Sequence, residues 1–139
     1  MTGITETLQD WRESKYSRIK RVIMRHLVRQ NAAYRKAVTF ICFNAPYPLS
    51  AESLKNEITV CVEKLKELSP RLSTVKVRGR RDEIEILQDE IQHYRYVTAV
   101  YRDIVKWRLT LLKHGLNVNY SELLIVLRDV ESGPLPSRT

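Results

Sequence analysis

The residues of this chain that are best suited to chemistry are arginines, which recur at helical spacing near its start. Between Arg12 and Lys36 nine lysines or arginines accompany a single acid, and the resulting net charge of +8 equals that of the whole protein. At 100° per residue, five of these cations fall on one side of a helix whose other side is apolar. We call them the arginine stripe: Arg18, Arg21, Arg25, Arg29 and Lys36. Such a row can neutralise several phosphates, which gives strong and salt-dependent binding.

A solvated helix face usually alternates charge signs, because like charges one turn apart cost about 0.2 to 0.5 kcal/mol per pair. The arginine stripe accepts this repulsion, which favours a polyanion or an acidic partner outside the protein. Nucleic acid, an acidic protein surface and an anionic membrane surface all stay open. In a further alternative, acids of neighbouring helices neutralise the stripe internally. The candidates are Glu63, Glu67, Asp89 and Glu90.

A second basic segment lies in the middle of the chain. The stretch from Pro70 to Arg81 contains no acid, and we interpret it as a basic, partly flexible connection. Gly79 would let its backbone approach a phosphate closely. The same residues would also suit a localisation signal or a solvated linker. The cations of this predicted basic loop that we assign to the binding site are Lys76, Arg78, Arg80 and Arg81.

Little in the sequence points to recognition of particular bases. It has no zinc-finger spacing, no aromatic ribonucleoprotein signature and no short three-helix reader. We therefore expect contacts to phosphates and to duplex shape, with little sequence specificity. Of the tyrosines, Tyr96 lies off the apolar seam and could stack on an unpaired base, whereas Tyr94 and Tyr101 lie on the seam as core residues.

Sequence motifs for catalysis, nucleotide binding and metal binding are missing. The chain has no GxSxG, no GxxxxGK[ST] and no GxGxxG. The segment from Glu90 to His93 is one ExxH step of the kind that di-iron bundles use, but such a site needs a second ExxH, and the chain has none. We therefore expect a protein that is not an enzyme, with no cofactor, no metal and no small-molecule substrate.

Composition favours a few long helices, because only four glycines and five prolines are spread over 139 residues. Cys42 and Cys61 are far outside any CxxC spacing, and we expect buried free thiols in an intracellular protein, cytoplasmic or nuclear. Residues Met1 to Asp10 show no secretory signal, and no apolar run approaches the roughly 20 residues that cross a bilayer. The expectation is a soluble protein, or at most a surface-associated one.

Apolar periodicity predicts four helices, and the first of them carries the arginine stripe. One long helix is predicted from Thr5 to Phe43, unless it bends near residues 31–34. Its last part, Val38 to Phe43, would also suit a short buried strand, although a helix is preferred. After a proline-rich turn, Ser50 caps a second helix that is predicted to end at Ser69-Pro70.

The other two helices have clear boundaries. Asp82 is predicted to cap a long third helix, which ends at His114-Gly115. Asn119 and Glu122 have the spacing of a capping box, which opens a short fourth helix through Val130.

The predicted fold is therefore all-α: two long and two shorter helices in an elongated helical hairpin or bundle that oligomerisation completes. Residues 1–131 would form a single domain, and 132–139 a flexible tail. The function that we predict is that of a small non-enzymatic factor that binds the nucleic-acid backbone through the arginine stripe and the basic loop. The alternative is a structural or adaptor subunit whose basic face docks on an acidic protein partner.

Overall fold

The computed structural model describes the backbone of residues 4–133 and the side chains from Lys15 onward. All regular structure in this range is helical, which confirms the all-α fold. The helices number five instead of the predicted four. They are α1 (Ile4–Leu27), α2 (Ala32–Asn44), α3 (Ala51–Arg78), α4 (Arg81–Lys113) and α5 (Tyr120–Ser132).

The predicted single helix from Thr5 to Phe43 is wrong, because the chain breaks between α1 and α2, close to the bend near residues 31–34 that was the alternative. Asn31 adopts an extended conformation as the N-cap of α2, and its side chain accepts a hydrogen bond from the Tyr34 amide at 2.9 Å. Asparagine is among the best N-cap residues, so it can start a new helix without any Gly or Pro nearby. The apolar pattern continues across the break because Leu27 and Tyr34 are both buried in the same core. The last part of the predicted helix, Val38 to Phe43, is helical in α2, as preferred.

The predicted end of the second helix at Ser69-Pro70 is also wrong. Helix α3 begins after Ser50, as expected, but continues through Pro70 to Arg78. Pro70 is exposed, so its ring lies on the solvent side of the helix. Beyond it, Leu72 and Val75 pack against α4, and this burial offsets the hydrogen bond that proline cannot donate.

The predicted basic loop is consequently almost entirely helical. Gly79 ends α3 with a φ of +72°, a conformation that glycine adopts without strain, and α4 begins two residues later. Arg80 is the N-cap of α4, so the predicted cap at Asp82 is wrong. Asp82 instead lies in the first turn, where the helix dipole favours a carboxylate.

The boundaries around α5 agree with the sequence. His114 is the C-cap of α4, and Gly115 follows with a φ of +81°. Asn119 and Glu122 form the capping box in both directions, at 2.8 and 3.1 Å. Ser132 is still helical, and the rest of the predicted tail beyond Gly133 lies outside the described residues.

Helix α4 is the axis of the fold, since all four other helices pack against it. Contacts between Arg18 and His114, and between His26 and Asp103, show that α1 runs antiparallel to α4. Helices α3 and α4 form an antiparallel hairpin whose tip is Gly79. The main core lies between α1, α2, α4, α5 and the first half of α3, and a small apolar cluster holds the outer half of the hairpin.

Cys42 and Cys61 are buried free thiols, as predicted. Within the described residues, no helix combines the length and the apolar character that a membrane span requires. The structure is of one chain, and oligomerisation stays a prediction.

Candidate nucleic-acid interface

Three members of the arginine stripe come together beside the C-terminal end of α4. Arg18, Arg21 and Arg25 line a groove of about 290 Å³ between α1 and α4, which we call the arginine groove. Thr110 and His114 of α4 form part of its opposite wall. The helical spacing predicted from the sequence therefore does place these guanidinium groups on one surface.

One of these arginines has a partner within the protein. Arg18 Nη2 donates a hydrogen bond of 2.6 Å to the carbonyl oxygen of His114, at the end of α4. A cation there satisfies an orphan carbonyl and complements the negative end of the helix dipole. Arg18 therefore has a structural role, whatever else it binds.

Arg21 and Arg25 of α1 and Arg29 in the turn after it form no ion pair with a carboxylate of the described residues. Arg21, Arg25 and Arg29 are exposed, and no carboxylate of the described residues lies within 4.0 Å of them. Of the acids proposed as internal partners, Glu67 contacts Lys64 and Arg71 within α3. Glu63, Asp89 and Glu90 form no ion pair with any described residue. Internal neutralisation by these acids is therefore not observed.

The break after α1 moves the last member of the arginine stripe to another helix. Lys36 lies on α2 and is exposed. It lines a small groove, the Lys36 groove, with Asp89, His93 and Tyr96 of α4. Burial, and then the charge of Lys36, lower the pKa of His93. His93 therefore favours its neutral form, which reduces repulsion with Lys36.

The cations of the predicted basic loop surround the hairpin tip, and all are exposed. Arg80 donates a hydrogen bond of 3.0 Å to Glu83, whereas Arg78 and Arg81 have no described carboxylate within 4.0 Å. Lys76 lines a larger groove of about 790 Å³ between α3 and α4, the hairpin groove. Because α4 is 33 residues long, the tip lies about 48 Å from the arginine groove, and the two patches do not form one pocket.

Sequence analysis missed a third set of cations, which connects the other two. It lies on the exposed side of α4, at intervals of seven, four and seven residues, which places all members within an arc of about 40°. We call this set the α4 stripe: Arg95, Arg102, Lys106 and Lys113. The helical periodicity of these four cations is the sequence signal that identifies the set.

Members of the α4 stripe line grooves toward both ends of α4. Arg95 lines the hairpin groove together with Lys76. Lys106 and Lys113 line a further groove, the lysine groove, which shares Thr110 with the arginine groove. The cationic surface therefore extends along α4.

A polar cluster inside the fold holds α1 and α2 against α4. Asp103 Oδ2 accepts a hydrogen bond of 2.8 Å from the Tyr34 hydroxyl and lies 3.0 Å from His26 Nε2. The His26 ring also packs edge-on against Trp107. Burial, and then Asp103, raise the pKa of Tyr34, so its hydroxyl keeps its proton and donates. This Asp103 cluster fixes how the arginines of α1 lie beside α4.

Two other candidate residues have internal contacts. Tyr96 accepts a hydrogen bond of 2.9 Å from Asn31, and its ring packs edge-on against Tyr34. His93, from the ExxH step, packs edge-on against Phe40 and Tyr94. Among the described residues, no group of three or more potential metal ligands occurs.

Comparison with known proteins finds no family model that matches this chain, no similar curated protein and no similar solved structure.

Proposed function

We propose that this protein is a nucleic-acid-binding factor that contacts phosphates through the arginine stripe, with little sequence specificity. The observation that carries the proposal is the exposure of Arg21, Arg25 and Arg29 without any described carboxylate within 4.0 Å. Like charges at this spacing destabilise a helix, and a row of phosphates would relieve the repulsion. Lys36 and the cations of the hairpin tip add charge along the same molecule.

The character of the arginine groove also supports a phosphate ligand. Five of its seven described lining residues carry guanidinium, hydroxyl or imidazole groups, and the other two are Val22 and Leu111. The guanidinium groups among them can form charge-assisted hydrogen bonds with anionic oxygens. Arg21 and Arg25 approach the groove from the exposed side of α1, where a long polyanion has access.

A second candidate function is that of an adaptor subunit that docks on an acidic protein. Exposed aromatic rings at the end of α2 favour it, since Phe43 is 79 % exposed and Tyr47, in the turn that follows, is 59 % exposed. Aromatic side chains of this kind are common anchors in protein interfaces. Copurification with a stoichiometric protein that survives nuclease and high salt would favour this function over nucleic-acid binding.

The proposal is tested by titrating unrelated DNA and RNA duplexes over a salt series. Phosphate contacts should give a steep negative slope of log affinity against log salt concentration. The double variant Arg21→Gln/Arg25→Gln should lower the magnitude of that slope by about 1.8, at 0.9 per phosphate.

The matched control is Lys64→Gln/Arg71→Gln, which removes the same charge from exposed positions of α3 that line none of the grooves. It should bind like the wild type. Both variants should keep wild-type helicity, measured by circular dichroism, because exposed substitutions usually change stability by less than about 0.5 kcal/mol. Binding that is absent or insensitive to salt would refute the proposal.

A further inference from the structure

The α4 stripe presents its charges in a nearly straight row on a continuous helix. At a rise of 1.5 Å per residue, Arg95 and Lys113 are about 27 Å apart, with Arg102 and Lys106 between them. The row occupies the exposed side of α4, where Arg95 borders the hairpin groove formed with α3 and Lys106 and Lys113 border the lysine groove. A rigid helix therefore fixes the spacing of these cations before any ligand binds.

These cations have little to bind within the protein. Among the described residues, no carboxylate lies within 4.0 Å of Arg95, Arg102 or Lys113. Lys106 Nζ lies 4.0 Å from Asp103 Oδ1, but its side chain is 76 % exposed and remains accessible to solvent. All four charges are consequently available to an external anion.

The α4 stripe lies next to grooves toward both ends of α4. At the C-terminal end of α4, Thr110 belongs to both the lysine groove and the arginine groove. Toward the hairpin tip, Arg95 and Lys76 share the hairpin groove. From Arg81 to Lys113 the surface measures about 48 Å, which corresponds to about 14 base pairs at 3.4 Å each.

We propose that the α4 stripe is a second phosphate-binding row, and that the whole surface binds a nucleic-acid double helix lying along α4 over about 14 base pairs. This inference rests on the proposed function and specifies its ligand. A duplex is stiff and presents phosphates over a long, regular surface, which matches a fixed row of cations.

The aromatic content of the surface disfavours a single strand as the ligand. Proteins that bind single strands combine a basic groove with aromatic side chains on which the bases stack. Among the described residues that line the arginine, lysine, hairpin and Lys36 grooves, Tyr96 is the single Tyr, Phe or Trp. Its hydroxyl accepts a hydrogen bond from Asn31 and its ring packs edge-on against Tyr34, so Tyr96 is already held by contacts within the protein.

The test measures binding of the full chain to labelled duplexes of 8, 14 and 20 base pairs and to a 20-nucleotide single strand, at several salt concentrations. The duplexes should bind more tightly than the single strand. Affinity should rise steeply between 8 and 14 base pairs. Between 14 and 20 base pairs it should rise only slightly, because the longer duplex offers more overlapping positions at which the protein can bind. The variant Arg95→Gln/Arg102→Gln should bind the 14-base-pair duplex about 30-fold more weakly at 0.15 M salt. This value follows because each of the two lost phosphate contacts lowers the slope of log affinity against log salt by about 0.9, with equal affinities at 1 M salt as the reference.

The matched control Lys64→Gln/Arg71→Gln should leave duplex affinity unchanged. Tighter binding to the single strand, or wild-type affinity in Arg95→Gln/Arg102→Gln, would overturn the inference. If Arg21→Gln/Arg25→Gln nevertheless weakens binding, the proposed function survives that result. Absence of binding to every nucleic acid would overturn both the inference and the proposed function.

Discussion

Replacement of Asp103 by alanine tests whether one carboxylate holds three helices together. Asp103 Oδ2 lies 2.8 Å from the hydroxyl of Tyr34 on α2 and 3.0 Å from the imidazole of His26 on α1. The side chain of Asp103 is 15 % exposed, and Tyr34 is 2 % exposed. Water can therefore replace the carboxylate for His26 more readily than for Tyr34.

The expected cost of Asp103→Ala follows from these contacts. A buried hydroxyl that loses its partner costs about 1 to 3 kcal/mol, and the bond from His26 adds about 1 kcal/mol. We expect the free energy of unfolding to fall by about 3 kcal/mol in total. Urea denaturation followed by circular dichroism measures this value, with an unchanged denaturant slope as the sign of two-state unfolding.

A double-mutant cycle separates the Tyr34 bond from other effects of the substitution. Tyr34→Phe alone should cost about 1 kcal/mol, because it removes a donor together with its need for an acceptor. In that background, Asp103→Ala should cost about 1 to 2 kcal/mol less than in the wild type. Glu90→Ala, at an exposed position of the same helix, is the matched control and should change stability by less than about 0.5 kcal/mol. Equal costs of Asp103→Ala in both backgrounds would refute the reasoning.

Two further predictions concern stability. Burial raises the pKa of the Cys42 thiol from 9.0 to about 12, and burial also raises the pKa of Tyr101. Because the folded state then holds these protons more tightly than the unfolded state, the free energy of unfolding should fall as pH rises above about 9, by up to about 1.4 kcal/mol per pH unit for each group. Urea titrations at pH 8 and pH 10.5 measure this loss of stability, and Cys42→Ala should reduce it. A free energy of unfolding that is the same at both pH values would contradict the prediction. Asn31→Ala removes the N-cap of α2 and the donor to Tyr96, and should lower the free energy of unfolding by about 1 to 2 kcal/mol. Asn119→Ala, at the N-cap of α5, provides the comparison, and unchanged stability of Asn31→Ala would show that the cap does not hold the break between α1 and α2.

The helix boundaries show which sequence signals acted locally. The capping box at Asn119, the cap at Ser50 and the stop at Gly115 were predicted because their hydrogen bonds or φ values involve only neighbouring residues. The end at Pro70 was wrong because contacts with α4 decide whether α3 continues. The break at Asn31 was predicted only as an alternative, a bend near residues 31–34, because the apolar pattern is nearly the same with or without it.

For the candidate site, too, some features follow from local sequence and others depend on tertiary packing. Periodicity within one helix placed Arg18, Arg21 and Arg25 on one surface, and the structure brings them into one groove. The continuity of that surface with Lys106 and Lys113 depends on the antiparallel packing of α1 on α4. So does the contact between Arg18 and His114, which are 96 residues apart in the chain.

The sequence by itself determined the all-α class, the caps at Ser50 and Asn119 and the cationic side of α1, because spacing along a helix and bonds to near neighbours need no knowledge of the rest of the chain. Only the tertiary structure decided which arginines remain without a carboxylate and which cations share a surface. Ion pairs and grooves arise between residues that are distant in sequence, and they exist only after apolar burial has chosen how the helices pack. The Asp103 cluster, which joins α1, α2 and α4, is the clearest case.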